Sequence, residues 1–142
     1  MTKKSSGKTT STVSKGRMVE HIVAQMHSHP NVKVERNVRL PTIDGSRRKR
    51  EIDVLLTVEI LGYQNRWAIE CKNEEASIGS PKVDAFCGKL DDVGIPQQNG
   101  IYVSASGYTT GAIRRASAAR IQTFTLKNLA SEDVSNKILA VY

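Results

Sequence analysis

Hydrophobic and polar positions alternate most cleanly over residues 50–60. Ile52, Val54, Leu56, Val58 and Ile60 share one parity, and Glu51, Asp53, Leu55, Thr57 and Glu59 share the other. A period of two predicts a β-strand with one face on a core. Residues 66–72 repeat the pattern, with Trp67, Ile69 and Cys71 against Arg66, Ala68, Glu70 and Lys72. Between them Leu61-Gly62-Tyr63-Gln64-Asn65 reads as a turn, so the pair predicts an antiparallel hairpin. Residues 32–40 alternate as well: Val32, Val34, Val38 and Leu40 on one parity, Lys33, Glu35, Asn37 and Arg39 on the other. A polar loop over 41–49, with an Asp44-Gly45 turn, joins that strand to the next.

Elsewhere the period lengthens to that of a helix. Met18, Val19, Ile22, Val23 and Met26 mark a helix over 15–28, with Ser14 as its cap and His29-Pro30 as its end; Glu20 lies at the edge of the apolar stripe. After a polar loop over 73–80, Ser80-Pro81 predicts a capped helix start. Val83, Phe86, Cys87, Leu90 and Val93 form its stripe, and Gly94 stops it. Gly100 to Ser104 reads as a short strand around Ile101-Tyr102-Val103. Thr109 or Thr110 caps a helix running through Arg120, with Ala112, Ile113, Ala116 and Ala119 on its small apolar face. Residues 121–126 read as a strand, and a last helix from Ser131 carries Val134, Ile138, Leu139 and Val141. Antiparallel pairs followed by a strand–helix–strand crossover predict an α/β domain, a mixed sheet with helices on both faces.

The chain has 142 residues, 39% of them hydrophobic and 5% aromatic, which predicts one aliphatic core. Residues 1–13 are Ser, Thr and Lys with little apolar content and predict a mobile basic arm. The division is then an arm over 1–13, a domain over 14–128, and a helix within 129–142 packed on the domain or at an interface. Cys71 and Cys87 are too few for a disulfide framework and read as small core residues. No run is long and apolar enough to span a membrane and no signal-peptide core is present, so the expectation is a soluble, cytoplasmic protein.

The formal net charge is +7 and the pI about 9.6. Lys3, Lys4, Lys8, Lys15 and Arg17 precede the first acid, and Arg47-Arg48-Lys49-Arg50 leads straight into Glu51. A basic surface attracts polyanions, so DNA is the expected partner. Arg47, Arg48, Lys49 and Arg50 are candidate phosphate contacts. So is Lys82, because it starts a helix. A solvated surface is the plain alternative for each. His21, His27 and His29 lack zinc spacing and read as surface residues.

Sixteen residues separate Asp53 from Glu70-Cys71-Lys72. On a strand Glu70 and Lys72 point the same way, about 7 Å apart. If Asp53 faces them from the preceding strand, the two carboxylates and the Cys71 carbonyl can hold Mg²⁺, or Mn²⁺, which prefers hard oxygen ligands. Lys72 then stands where it can orient a water or neutralise transition-state charge. That is equipment for metal-assisted phosphodiester hydrolysis. An exposed Glu-x-Lys strand face without function is the other reading.

Glu20, Glu51-Ile52-Asp53, Ile69-Glu70-Cys71-Lys72, the helix start Lys82 to Phe86, and Gly100 to Ser104 with Tyr108-Thr109-Thr110 together resemble one family pattern. Across residues 16–126 the chain resembles the PD-(D/E)XK nuclease superfamily, above all its Mrr-like restriction endonuclease branch and the related Holliday-junction resolvases. Ile52 stands where the motif's name has proline. The resemblance implies a restriction-endonuclease-like three-layer fold and a metal-dependent DNA endonuclease leaving 5′-phosphate and 3′-hydroxyl ends. Asp53, Glu70, Lys72 and, in some members, Glu20 would be its catalytic residues. A branched-DNA resolvase of the same fold and a non-catalytic nucleic-acid-binding module remain the alternatives. A homodimer is compatible with the apolar tail.

Overall fold

The structure is a computed structural model that describes residues 15–26 and 30–131, with side chains to residue 128. Helix α1 covers residues 15–26. It is followed by β1 (Val32–Pro41), β2 (Lys49–Ile60), β3 (Tyr63–Lys72), α2 (Ser80–Val93), β4 (Gly100–Ser104), α3 (Thr110–Ala119), β5 (Gln122–Thr125) and α4 (Leu126–Ser131). The strands form one sheet in the order β1-β2-β3-β4-β5. The first three are antiparallel, and β4 and β5 run parallel to β3. This is the mixed α/β sheet flanked by helices that the sequence predicts. The arm over 1–13, the Ser14 cap and nearly all of the tail helix lie outside the described residues.

Two apolar cores sandwich the sheet. On one face Met18, Val19, Ile22 and Met26 of α1 meet Val54, Leu56, Trp67, Ile69, Val103 and Phe124. On the other, Val83, Phe86, Leu90 and Val93 of α2 and Ala112 and Ala116 of α3 meet Leu55, Ala68 and Tyr102. Leu55 and Ala68, on the parity opposite Val54 and Ile69, are therefore buried as well. Helices α2 and α3 cover that face, and each large side chain so buried stabilises the fold by about 1.5–3 kcal/mol. Ile113, read as part of the α3 apolar face, is 44% exposed.

Parity fails at one point in β2. Ile52 packs with Phe86 and Tyr102, whereas Val54, two residues on, packs with Met18 and Ile69. Val38 and Leu40 likewise leave the α1 side occupied by Val32 and Val34. The cause is local. Strand β2 pairs with β3 only from Val54↔Ile69 outward, while β1 and β2 keep one register throughout. Residues 37–41 and 49–53 form a two-stranded arm beyond the sheet, and it curls onto α2. Asn37 sits at the bend with φ 53°, a left-handed conformation that asparagine tolerates. Arg50 pairs with Asp92 of α2, and Ile43 N–H donates to Asp92 O at 2.8 Å.

Three boundaries also differ from expectation. The β2–β3 turn is only Leu61-Gly62, both with positive φ (50° and 83°). This is the twist-matched two-residue hairpin, so Tyr63, Gln64 and Asn65 join the strand. Gly79, not Ser80, caps α2, without a side-chain bond. Strand β5 ends at Thr125, because Leu126 already begins α4. Thr109 caps α3 as predicted, accepting from Ala112 N–H.

Candidate active site

Asp53 is the residue at which β2 parts from β3. Cys71, on the adjacent strand, thereby lacks a backbone partner from β2, and the Asp53 side chain supplies one: Cys71 N–H donates to Oδ2 at 2.8 Å. Both residues are buried. A buried N–H without an acceptor is costly, so this bond fixes the carboxylate's orientation. The remaining oxygen, Oδ1, lies 3.7 Å from Lys15 Nζ at the start of α1.

Glu70 follows on β3, also buried, with its side chain on the α2 side of the sheet. Its Oε2 is 3.8 Å from Lys72 Nζ, as strand alternation requires. Its Oε1 accepts from Lys89 Nζ of α2 at 3.0 Å. The Cys71 side chain points the other way, into the α1 core. Burial, and next the nearby Asp53 charge, push its thiol well above the ordinary cysteine range, so it stays protonated and is no thiolate ligand. Tyr102, beside Glu70 across the β3–β4 ladder, is raised likewise, by burial first and then by Glu70.

The strand end carrying Lys72 is tied down. Ala105 N–H donates to Lys72 O at 2.9 Å. The fully buried Ser104 hydroxyl accepts from the N–H groups of Ser106 and Gly107, each at 3.1 Å. Ile78 and Tyr108 form a bridge between the two loops that follow β3 and β4. Rigid support of this kind holds a functional side chain in one geometry.

A cleft of about 520 Å³ opens at the start of α1, its wall including Lys15, Glu20, Arg36, Asn37 and Asn73, and Lys15 of that wall is the residue 3.7 Å from Asp53. Glu20 is thus exposed on the cleft wall. Among the described residues, no three His, Cys, Asp or Glu side chains converge on a metal position. Two carboxylates suit magnesium, which keeps several waters and needs one or two acid ligands, and do not suit a closed zinc cage. Asp53 Oδ1, with Oδ2 committed to Cys71, already faces a cationic group.

The basic candidates are placed less directly. Arg50 is held by Asp92 and Arg48 by Asp44 at 3.2 Å, which fastens the arm and its turn. Lys82 pairs with Glu74 at 2.5 Å. Arg47 and Lys49 are exposed on the arm. His21 is exposed on α1, and His27 and His29 lie outside the described residues. Lys89 and Lys15, which touch the two acids, were not singled out by the sequence. Lys89 flanks the α2 stripe between Phe86 and Leu90, and that lateral position was the one available signal.

Comparison with known proteins gives a consistent picture. A family model described as a restriction endonuclease, that of the Mrr catalytic domain, matches residues 13–132. The crystal structure of a protein of unknown function, AF1548, superimposes with a TM-score of 0.59 at 22% identity, covering 84% of this chain. This chain spans 61% of that one, and at such identity the likeness shows the fold. No curated protein matches. Among the described residues no helix is long and apolar enough to cross a membrane.

Proposed function

We propose that this chain, which belongs to the restriction endonuclease family of the Mrr catalytic domain, is a divalent-metal-dependent nuclease that acts on DNA as an endonuclease, hydrolysing phosphodiester bonds. The observation that supports this reading is that Asp53, whose Oδ2 accepts from Cys71 N–H, and Glu70, the residue before Cys71, are both buried carboxylates on neighbouring strands, with Lys72 Nζ 3.8 Å from Glu70. Asp53 Oδ1, Glu70 Oε2 and the Cys71 carbonyl are the proposed ligands of Mg²⁺ or Mn²⁺. The bound cation would neutralise charge on the scissile phosphate and acidify a water.

The rest is done by the chain. Asp53 is oriented by Cys71 N–H through Oδ2, so its other oxygen, which faces Lys15, is already aimed before use. Lys72 Nζ, about a third exposed on the rim, orients the attacking water and faces the charge that develops in the transition state. Glu20, on the cleft wall, belongs to the edge of the site. The cleft offers Lys15 and Arg36 to the DNA backbone, and Arg47, Lys49 and Lys82 are further phosphate contacts on the surface. The working domain is residues 14–128.

The test is cleavage of labelled duplex, four-way-junction and supercoiled DNA with Mg²⁺ or Mn²⁺ by wild type, Asp53→Asn and Lys72→Ala. Cutting that needs metal and disappears in both variants is the expected result. The preferred DNA then separates a restriction-type enzyme from a junction-resolving one. Cutting that survives a chelator or both substitutions would overturn the proposal, and DNA binding without cutting would favour a binding module.

A further inference from the structure

Glu70 is contacted by two lysines, and their geometries differ. Lys89 Nζ lies 3.0 Å from Oε1 with a side chain only 17% exposed, whereas Lys72 Nζ lies 3.8 Å from Oε2 with a side chain 34% exposed. The tight, sheltered contact comes from helix α2 and the loose, wetter one from the strand. A lysine is rarely buried without a partner. Lys89 lies on α2 between the buried Phe86 and Leu90 in sequence, and with its side chain only 17% exposed its ammonium has little freedom to swing elsewhere. The three lysines around the acids thus have distinct attachments: Lys15 on Asp53, Lys89 on Glu70, and Lys72 held loosely.

We propose that Lys89 is a positioning residue that holds Glu70 through Oε1 and so keeps Lys72 out of a tight pair with the same carboxylate. Without Lys89, the buried Glu70 charge has Lys72 as its sole cationic neighbour among the described residues, and opposite charges in a sheltered site close to contact. Lys72 and Oε2 would then satisfy each other. The lysine would no longer be available to a water, nor the oxygen to a cation. The division of labour gives Lys89 the structural share of neutralising Glu70 and leaves Lys72 the share at the rim.

This inference rests on the proposed roles of Glu70 and Lys72, and the experiment separates the two. Mn²⁺ binding to the protein alone, without DNA, is measured by calorimetry for wild type, Lys89→Met, Lys89→Arg and Glu70→Gln, alongside kcat and KM on the preferred DNA and thermal melting. Lys89→Met keeps the apolar stem and removes the charge. It is expected to weaken Mn²⁺ binding and to lower kcat, each by about 10- to 100-fold, the usual range for residues supporting a metal ligand, with KM for DNA little changed. Lys89→Arg, which can still bind Oε1, is expected to recover most of both. The inference is overturned if Lys89→Met binds Mn²⁺ and cuts as wild type does. It is equally overturned if its losses merely follow a fall in melting temperature that Lys89→Arg fails to restore. If Glu70→Gln retains wild-type Mn²⁺ binding and cutting, the proposed site itself falls, whatever Lys89 does.

Discussion

Asp53 has two functions that substitution can separate. Its Oδ2 accepts the Cys71 N–H at 2.8 Å inside the protein, and its Oδ1 faces Lys15. Asp53→Ala removes both and strands a buried backbone donor, which costs about 1–3 kcal/mol. The Lys15 contact adds little, because that side chain is 43% exposed and screened. Asp53→Asn leaves a carbonyl oxygen for Cys71 N–H and should stay within about 1 kcal/mol of wild type. At about 3–5 °C per kcal/mol for a chain of this size, Asp53→Ala should melt about 3–15 °C lower and Asp53→Asn nearly unchanged. Both should be inactive. Calorimetric or circular-dichroism melting of the three proteins, beside a cleavage assay, decides it. Equal melting temperatures for wild type and Asp53→Ala, or an Asn variant less stable than the Ala variant, would refute the view that Asp53 completes the strand ladder.

A Cβ at Gly100 would stand 2.6 Å from Leu90 Cδ1, 3.0 Å from Phe86 and 3.1 Å from Gln97 O. Both side chains are locked in the core, so Gly100→Ala should destabilise by about 1–3 kcal/mol in urea unfolding. Tyr108 Oη lies within hydrogen-bond distance of both Tyr102 O (2.9 Å) and Phe124 O (2.8 Å). Tyr108→Phe should therefore cost about 1 kcal/mol by the same measurement, with metal binding intact. The Ser46 hydroxyl, then the Ser46 N–H and the Thr42 hydroxyl, hold the Asp44 carboxyl well below the ordinary carboxylate range. A folded value below the unfolded one stabilises fully above the unfolded pKa, and the contribution fades as pH falls through the folded value. Carboxyl-carbon NMR titration should place the Asp44 midpoint low in wild type and higher in Ser46→Ala.

Periodicity made the order of the elements legible, together with both faces of the sheet and the Glu70–Lys72 alignment, because these depend on local alternation and helical stripes. It could not reveal the arm. From Ile52 to Val54 the alternation continues unbroken in sequence, and only the loss of the β3 partner turns Ile52 toward α2. The basic run was legible as charge, but not as the fastening of that arm, since Asp92 lies 42 residues beyond Arg50. Lys89 escaped for a related reason. A lysine at the margin of an apolar stripe looks solvated until the helix is docked against the strand that carries its carboxylate.

The Cys71 amide has a further use. In a regular ladder an amide meets a backbone carbonyl, whose charge is fixed, whereas this one meets a carboxylate. Its proton resonance and its solvent-exchange rate would therefore respond to a cation added at the other oxygen. The backbone thus contains an intrinsic spectroscopic probe of the acid pair. It requires only isotopic labelling, and it can be followed in the wild-type protein without DNA.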